Sequence, residues 1–249
     1  MPDADTLLDA RGIGKRFNAL TVLSDVDFAI RAEEAVGIVG PNGAGKTTLL
    51  NVLSGAMPAD AGHILFAGQD VSRLDAPARC RRGIGRSHQI PRPFGGMTVF
   101  ENLLVAARTG GNAHGAAAYD RCVDSLRLCG MLPFANRRAE ALALLDRKRL
   151  ELARALATAP RLLLLDEIGG GLTDAEAAEL VDIIRVIRGR GVAVVWIEHI
   201  VHVLVQVVGR LVCMDGGRVI ADGPPDTVLR DAAVIDAYLG SAAHDHPVG

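Results

Sequence analysis

The sequence predicts an α/β fold, and three apolar runs carry this prediction. Each run suits a strand buried on both faces: residues 35–39, 162–165 and 192–197. A glycine-rich stretch follows the first run, two carboxylates follow the second, and Glu198-His199 follow the third. Open α/β sheets bind ligands at the carboxyl ends of their strands, so these three ends are the predicted site.

Residues 7–35, before the first buried run, are predicted to form an N-terminal antiparallel β region. Val26, Phe28 and Ile30 alternate with polar or small residues, which is typical of a half-buried strand. Phe17 lies in a predicted loop of this region. Its position alone favours a packing role, with stacking on a nucleotide base as the alternative.

Nine residues link the first run to a helical pattern: Gly40, Pro41, Asn42, Gly43, Ala44, Gly45, Lys46, Thr47 and Thr48. Their spacing, G-x-x-x-x-G-K-[ST], is that of the phosphate-binding loop, in its expected place between strand and helix. Glycines admit positive φ and leave the backbone bare, so N–H groups face phosphate oxygens at a helix N-terminus. We expect ATP or GTP binding here, with Lys46 at the β- and γ-phosphates and the Thr47 hydroxyl at Mg²⁺.

Residues from about 75 to 158 are predicted to form a helical insert in the α/β frame. Asp75-Ala76-Pro77 is a helix start, and Thr98 with Glu101 forms a capping box. Residues 84–100 contain several prolines and glycines and are expected to be irregular. Asp146 is predicted to cap a helix that continues to Thr158.

The second and third runs end in residues with predicted chemical roles. Asp166 is placed to hold Mg²⁺, directly or through water, and Glu167 to orient and deprotonate a water beside the γ-phosphate. A strand that merely ends in polar residues is the alternative. For His199, a structural role and contact with the γ-phosphate are equally favoured by its position.

The last part of the chain is predicted to hold a helix from about Thr173 to Arg188 and a hairpin of residues 210–214 and 218–222. The tail, residues 240–249, is expected to be unstructured and flexible. We expect residues 1–249 to form one domain, because 249 residues with 49% hydrophobic content supply one large core.

Composition excludes several classes of function. The net charge of −2 gives no basic field for nucleic acid. The four cysteines form no C-x-x-C pair, which fits a reducing compartment. We expect no secretory leader and no membrane span, because no stretch holds 18 uninterrupted apolar residues.

Taken in order, these landmarks resemble the ATP-binding cassette (ABC) ATPases over nearly the whole chain. The resemblance is greatest to the ATP-binding subunits of branched-chain amino-acid importers, and three stretches carry it: residues 85–102, 149–158 and 196–199. It implies a P-loop NTPase fold of the ABC type, with ATP and Mg²⁺ as ligands. It also implies residue roles. Phe17 stacks on adenine, Gln89 contacts Mg²⁺ and the attacking water, Glu167 is the catalytic base, and His199 contacts the γ-phosphate.

One departure from the family pattern concerns the signature loop, which usually reads Leu-Ser-Gly-Gly-Gln and closes on the γ-phosphate of a partner subunit. Here residues 142–146 read Leu-Ala-Leu-Leu-Asp. Ala143 has no hydroxyl, and Leu144 and Leu145 obstruct close approach, although backbone N–H groups and the helix N-terminus remain. We therefore expect weaker closure or an altered path of the loop.

Three hypotheses for function follow. The first is a Mg²⁺-dependent ATPase that dimerises with a like or different ATPase subunit and powers a permease importing branched-chain amino acids or a similar small polar solute. A periplasmic solute-binding protein would complete the complex, and the chain would sit peripherally at the cytoplasmic face of the membrane. The second is an ATP-gated binding subunit with weak hydrolysis, completed by a paralogous partner. The third, a soluble ABC ATPase of DNA repair, would need a basic face or coiled-coil insertions, and neither is visible.

Overall fold

The computed structural model describes residues 5–88 and 90–242. Within them the strands are β1 Thr6–Phe17, β2 Leu20–Arg31, β3 Ala35–Val39, β4 Ala61–Phe66, β5 Gln69–Asp70, β6 Ile84–Arg86, β7 Leu162–Asp166, β8 Ala193–Ile197, β9 Arg210–Asp215 and β10 Arg218–Gly223. The α-helices are α1 Lys46–Ser54, α2 Ala76–Arg81, α3 Val99–Thr109, α4 Gly115–Leu128, α5 Leu144–Ala157, α6 Asp174–Gly189, α7 Val201–Leu204, α8 Pro225–Val228 and α9 Ala232–Ala242. No described helix has both the length and the apolar character needed to cross a membrane.

Two sheets form the frame of the molecule. The first is antiparallel, with strand order β2-β1-β4-β5, and matches the predicted N-terminal β region. The second has the order β10-β9-β3-β8-β7-β6, and all its strands are parallel except β10. Because β8 lies between β3 and β7, the residues that follow these three strands meet at one edge of the sheet.

The second sheet is buried on both faces, as the apolar runs predict. Leu162 and Leu164 of β7 pack into a core shared with the first sheet and α1. Leu163 and Leu165 pack on the opposite face against the helices. The period of two along the strand sends alternate leucines to the two cores, which is why an unbroken apolar run forms a strand here.

The phosphate-loop helix α1 is fixed at its far end by a buried arginine. The helix stops at Gly55, which takes the left-handed conformation with φ 76°. Arg79 is fully buried, and its Nη1 donates to the carbonyl oxygens of Val52 and Leu53 at 2.7 and 3.0 Å. A cation at the last carbonyls satisfies groups that the helix leaves unpaired, so the helix behind the loop is held in place.

Helices α3, α4 and α5 pack on one another beside the sheet. The predicted capping box of α3 is confirmed: Glu101 N donates to Thr98 Oγ1, and Thr98 N donates to Glu101 Oε2. The helix predicted from about Thr173 is α6, and the predicted C-terminal hairpin is β9 with β10.

The structure corrects four expectations. Phe17 does not lie in a loop, because it is the last residue of β1 and pairs with Leu20. Residues 84–86 are not irregular, because they pair with β7 as strand β6, so the segment 75–158 contributes a strand to the sheet. Asp146 does not cap α5; the helix begins two residues earlier, and the Asp146 carboxylate lies 3.5 Å from Arg149. Residues 240–242 are helical and complete α9, while the rest of the expected tail, 243–249, lies outside the described residues.

Candidate active site

The loop after β3 has the backbone that its glycines predict. Gly40, Gly43 and Gly45 take positive φ angles of 142°, 81° and 97°. A Cβ on Gly40 would lie 2.1 Å from the carbonyl oxygen of Met214, so only glycine fits there. Helix α1 begins at Lys46, directly after Gly45, and directs its free N–H groups toward the loop. The segment is a preformed concave surface for an anion.

Lys46 lies inside this loop rather than in solvent. Its side chain is buried, and Nζ donates to the carbonyl oxygens of Gly40 and Pro41 at 2.6 and 2.9 Å. Burial lowers the pKa of this ammonium, and the nearby charges of Glu167 and Asp166 partly oppose that effect. The lysine is therefore held by two neutral carbonyls at the start of the loop.

A cavity of about 240 Å³ opens over the loop. Its lining combines Val22 and Glu167 with residues 42–48 of the loop. Phe17 is not among the described residues that line this cavity. Phe17 ends β1 with 43% of its surface exposed, and Lys15 Nζ lies 5.8 Å from its ring centroid. Phe17 thus lies on β1, which pairs with β2, the strand that carries Val22.

Asp166, at the end of β7, faces the start of α1. Thr47 Oγ1 donates to Asp166 Oδ1 at 3.3 Å, and Arg86 Nη2 donates to Asp166 Oδ2 at 3.1 Å. The carboxylate is buried. Hydroxyl and carboxylate oxygens are the donors that Mg²⁺ prefers, so Thr47 and Asp166 together fit such an ion.

Arg86 was not among the predicted site residues. From the end of β6 it also donates through Nη1 to Asn51 Oδ1 at 2.6 Å and to Ser54 Oγ at 3.1 Å. It therefore ties α1 to β7 through one guanidinium. The sequence indicates this role of Arg86 only weakly. Arg86 is a charged residue two places after Ile84, in a segment that the sequence pattern alone does not identify as a strand.

Glu167 and His199 meet across two neighbouring strands. Asp166 pairs in register with Ile197, so the residue after β7 lies beside the residues that follow β8. His199 Nε2 is 2.7 Å from Glu167 Oε1. Glu167 has a φ of 47°, in the left-handed region, and its N–H donates to the carbonyl oxygen of Ile197 at 2.9 Å. This unusual backbone aims the Glu167 side chain into the cavity over the loop.

Glu198 lies at the predicted end of the third run, but its position in the sequence indicates no specific role for it. It is buried; Oε1 accepts a hydrogen bond from Gly169 N at 2.5 Å, and Oε2 accepts from His199 N at 3.2 Å. Burial raises the pKa of this carboxyl, while the two backbone donors favour its charged form. Glu198 thus links Gly169, in the turn after Glu167, to His199, whose side chain contacts Glu167.

Gln89 lies outside the described residues. The chain just before it follows the sheet, since Ser87 N donates to the carbonyl oxygen of Leu164 at 3.0 Å. Its neighbour His88 has a pKa lowered by burial and by the positive charge of Arg86.

The altered signature loop leads directly into α5. Ala143 is the N-cap residue and supplies no side-chain hydrogen bond to the helix, and Leu144 is 46% exposed. Leu144 Cδ2 would be 3.4 Å from a Cβ on Gly171, so the loop adjoins the turn that follows Glu167. Lys148, one turn into α5, is buried, which lowers its pKa against the attraction of Glu198 and Glu167.

Comparison with known proteins gives a consistent result. The family described as "ABC transporter" matches residues 23–169, and "Branched-chain amino acid ATP-binding cassette transporter" matches residues 218–244. The high-affinity branched-chain amino acid transport ATP-binding protein LivG of Escherichia coli is 36% identical, with 95% of this chain and 98% of LivG covered. Its counterpart BraF of Pseudomonas aeruginosa is 34% identical over the same shares. The lipopolysaccharide export ATP-binding protein LptB of Escherichia coli is 33% identical, covering 94% and 97%.

Solved structures agree with this result. An ATP-binding cassette of an ABC transporter in its ADP conformation superposes with a TM-score of 0.87 at 27% identity, covering 94% of this chain and 99% of that one. The nucleotide-free form of an ATP-binding cassette gives a TM-score of 0.86 at 26% identity, covering 94% and 98%. The expected fold class is confirmed, and the chain belongs to the family of ABC transporter ATP-binding proteins.

Proposed function

We propose that this chain is the ATP-binding and ATP-hydrolysing subunit of an ABC importer, and that it powers a permease for branched-chain amino acids or a similar small polar solute. The observation that carries the proposal is the meeting of the glycine loop, Lys46, Asp166, Glu167 and His199 at one edge of the sheet. LivG and BraF, named for high-affinity branched-chain amino acid transport, support the choice of solute.

In this proposal the triphosphate of ATP lies on residues 40–48. The loop amides and the N-terminus of α1 receive the phosphate oxygens, and Lys46 turns from the Gly40 and Pro41 carbonyls toward the β- and γ-phosphates. Phe17, exposed near the strand pair that carries Val22, stacks on the adenine.

We assign Mg²⁺ to Thr47 and Asp166, with Gln89 as a further ligand. The 3.3 Å contact between Thr47 Oγ1 and Asp166 Oδ1 brings two hard oxygen donors together at the end of the loop. When bound, Mg²⁺ neutralises charge on the phosphate oxygens.

Glu167 is the general base of the proposed reaction. Its carboxylate takes a proton from a water whose oxygen attacks the γ-phosphorus, while the bond from that phosphorus to the bridging oxygen breaks and ADP leaves. His199 Nε2 lies 2.7 Å from Glu167 Oε1. In the proposed reaction His199 also contacts the γ-phosphate. General-base catalysis of this kind contributes ~10²–10⁴-fold in rate.

The proposed partners follow from the same function. Transmembrane permease subunits, a second ATPase subunit and a periplasmic solute-binding protein would complete the complex, with this chain at the cytoplasmic face of the membrane. Ile90, Phe94 and Met97 are exposed after position 89, and they supply apolar contacts for the permease. Nucleic acid is not a proposed partner, because the net charge is −2.

One observation favours a second candidate, an ATP-gated subunit with weak hydrolysis that a paralogous partner completes. Ala143 offers no hydroxyl, and the exposed Leu144 occupies the place of a glycine in the signature loop. A partner with an intact signature loop would then supply the competent contact to the ATP bound here.

The test is ATP hydrolysis by the purified chain with and without Mg²⁺, with size-exclusion chromatography in ATP. We expect Glu167→Gln to bind ATP and to lose at least ~100-fold in turnover. Glu140→Gln, a substitution of an exposed carboxylate 3.7 Å from Arg138, is the control and should turn over normally. Normal hydrolysis by Glu167→Gln overturns the assignment of the base. Hydrolysis only after mixing with a paralogue favours the second candidate.

The solute requires the assembled transporter. We expect vesicles that contain the permease, the solute-binding protein and this chain to take up labelled leucine in an ATP-dependent way. Uptake of a different solute class would contradict the proposed substrate while leaving the ATPase assignment intact.

A further inference from the structure

The C-terminal helix α9 reaches the phosphate loop through one side chain. Val234 of α9 is 2% exposed and anchors the helix in the core. Tyr238 follows four residues later, so it lies on the same face of the helix. Its hydroxyl oxygen accepts a hydrogen bond from Gly40 N at 2.8 Å. A residue 198 positions away therefore contacts the first residue of the loop.

The position of this hydrogen bond matters because of the conformation of Gly40. A φ of 142° turns the backbone sharply between the peptide before Gly40 and the peptide after it. Tyr238 holds the first peptide through its N–H, and Lys46 Nζ holds the second through the carbonyl oxygen at 2.6 Å. Two side chains from distant parts of the chain thus fix the two peptides on either side of one glycine.

We propose that Tyr238 is a positioning residue of the nucleotide site, which holds the entry to the phosphate loop and makes α9 sensitive to the bound nucleotide. This inference rests on the proposed function, in which Lys46 leaves the Gly40 carbonyl for the phosphates. The Gly40 carbonyl then loses the hydrogen bond from Lys46 Nζ, while the hydroxyl of Tyr238 keeps the first peptide in place.

The chemistry of the phenol suits this role. Burial raises the pKa of Tyr238, so the hydroxyl stays protonated and neutral at physiological pH. A neutral hydroxyl accepts the hydrogen bond from Gly40 N without bringing negative charge close to the phosphates.

The first experiment measures ATP binding and steady-state hydrolysis by Tyr238→Phe, which keeps the ring and removes the hydroxyl. We expect Kd and KM for ATP to rise about two- to tenfold, the effect of one neutral hydrogen bond, while kcat changes less than about twofold. The sequence contains two tyrosines, and Tyr119→Phe is the matched control. Tyr119 is 58% exposed and packs on Phe100, so its variant should bind ATP normally.

The second experiment does not depend on activity. Tyr119→Phe leaves Tyr238 as the sole tyrosine, so 3-fluorotyrosine incorporation gives a single ¹⁹F signal. We expect this signal to shift when ADP is added, which a purely structural tyrosine would not show. Unchanged ATP affinity in Tyr238→Phe, or an unmoved ¹⁹F signal at saturating ADP, overturns the inference. If the wild-type chain fails to bind ATP, the proposed function fails instead.

Discussion

Replacing Arg86 by methionine tests how the buried Asp166 carboxylate is stabilised. Arg86 and Asp166 are only 11% and 4% exposed at their side chains, and their charged atoms are 3.1 Å apart. Methionine keeps an unbranched side chain, shorter than that of arginine, and removes the charge. Asp166 then keeps only one of its two described side-chain contacts, the 3.3 Å hydrogen bond from Thr47 Oγ1.

The magnitude follows from this environment. Removing one partner of a buried ion pair costs about 3–5 kcal/mol, because the remaining charge stays away from water. The contact with Thr47 persists, so the lower end applies and we expect a loss of ~3 kcal/mol. For a domain of this size each kcal/mol lowers Tm by about 2–4 °C, which gives a fall of about 6–12 °C.

The assay is thermal unfolding without nucleotide, in a double-mutant cycle with Asp166→Asn. Removing both charges should cost less than the sum of the single changes, by ~2 kcal/mol. Arg185→Met is the control: its ion pair with Asp182 is 2.8 Å long but 47% and 72% exposed, so we expect a change within ~0.5 kcal/mol. If Arg86→Met costs no more than Arg185→Met, or if the cycle is additive, the reasoning about the buried pair is wrong.

Two further predictions use the same thermal assay. Ala143→Ser should raise Tm by about 2–4 °C, because serine adds the missing cap of α5, worth ~1 kcal/mol; Ala143→Val has no oxygen, and a gain in that variant would refute the capping argument. Gly40→Ala should lose more than about 4 kcal/mol, because its Cβ would lie 2.1 Å from the Met214 carbonyl. Gly43→Ala has no atom within 4 Å of its Cβ and should lose only about 1–2 kcal/mol from its positive φ, so equal losses would contradict the argument.

The sequence predicted those parts of the fold whose signals are local. The glycine loop is recognisable because its spacing, its preceding strand and its following helix are contiguous along the chain. The same holds for the capping box of α3, where Thr98 and Glu101 are three residues apart. In each case, the residues concerned lie close together along the chain, so their pattern can be recognised without knowledge of the tertiary fold.

Two of the missed features, strand β6 and Arg86, depend on contacts between distant residues. Strand β6 has three residues, too few for a periodic pattern, and it exists because it pairs with β7. Arg86 lies 80 positions from Asp166, so no spacing rule connects them. Asp146 has the side chain of a good N-cap residue, but Ala143 takes the N-cap backbone and the Asp146 carboxylate turns toward Arg149. Tertiary packing decided the first two features, whereas the contact of Asp146 with Arg149 lies within one turn of α5.

Some departures from the ordinary rules of folding lie at the proposed site. Lys46, Lys148, Asp166 and Glu198 are buried charged side chains, and Glu167 holds a backbone conformation that its residue type disfavours. Burying charge and holding a left-handed backbone both cost stability, so these features persist only because surrounding contacts fix them. Glu198 illustrates this: its two oxygens each accept a backbone N–H, from Gly169 and His199. The contacts that offset this cost hold the Glu167 carboxylate over the phosphate loop in the absence of nucleotide. An electrostatically preorganised site requires this arrangement.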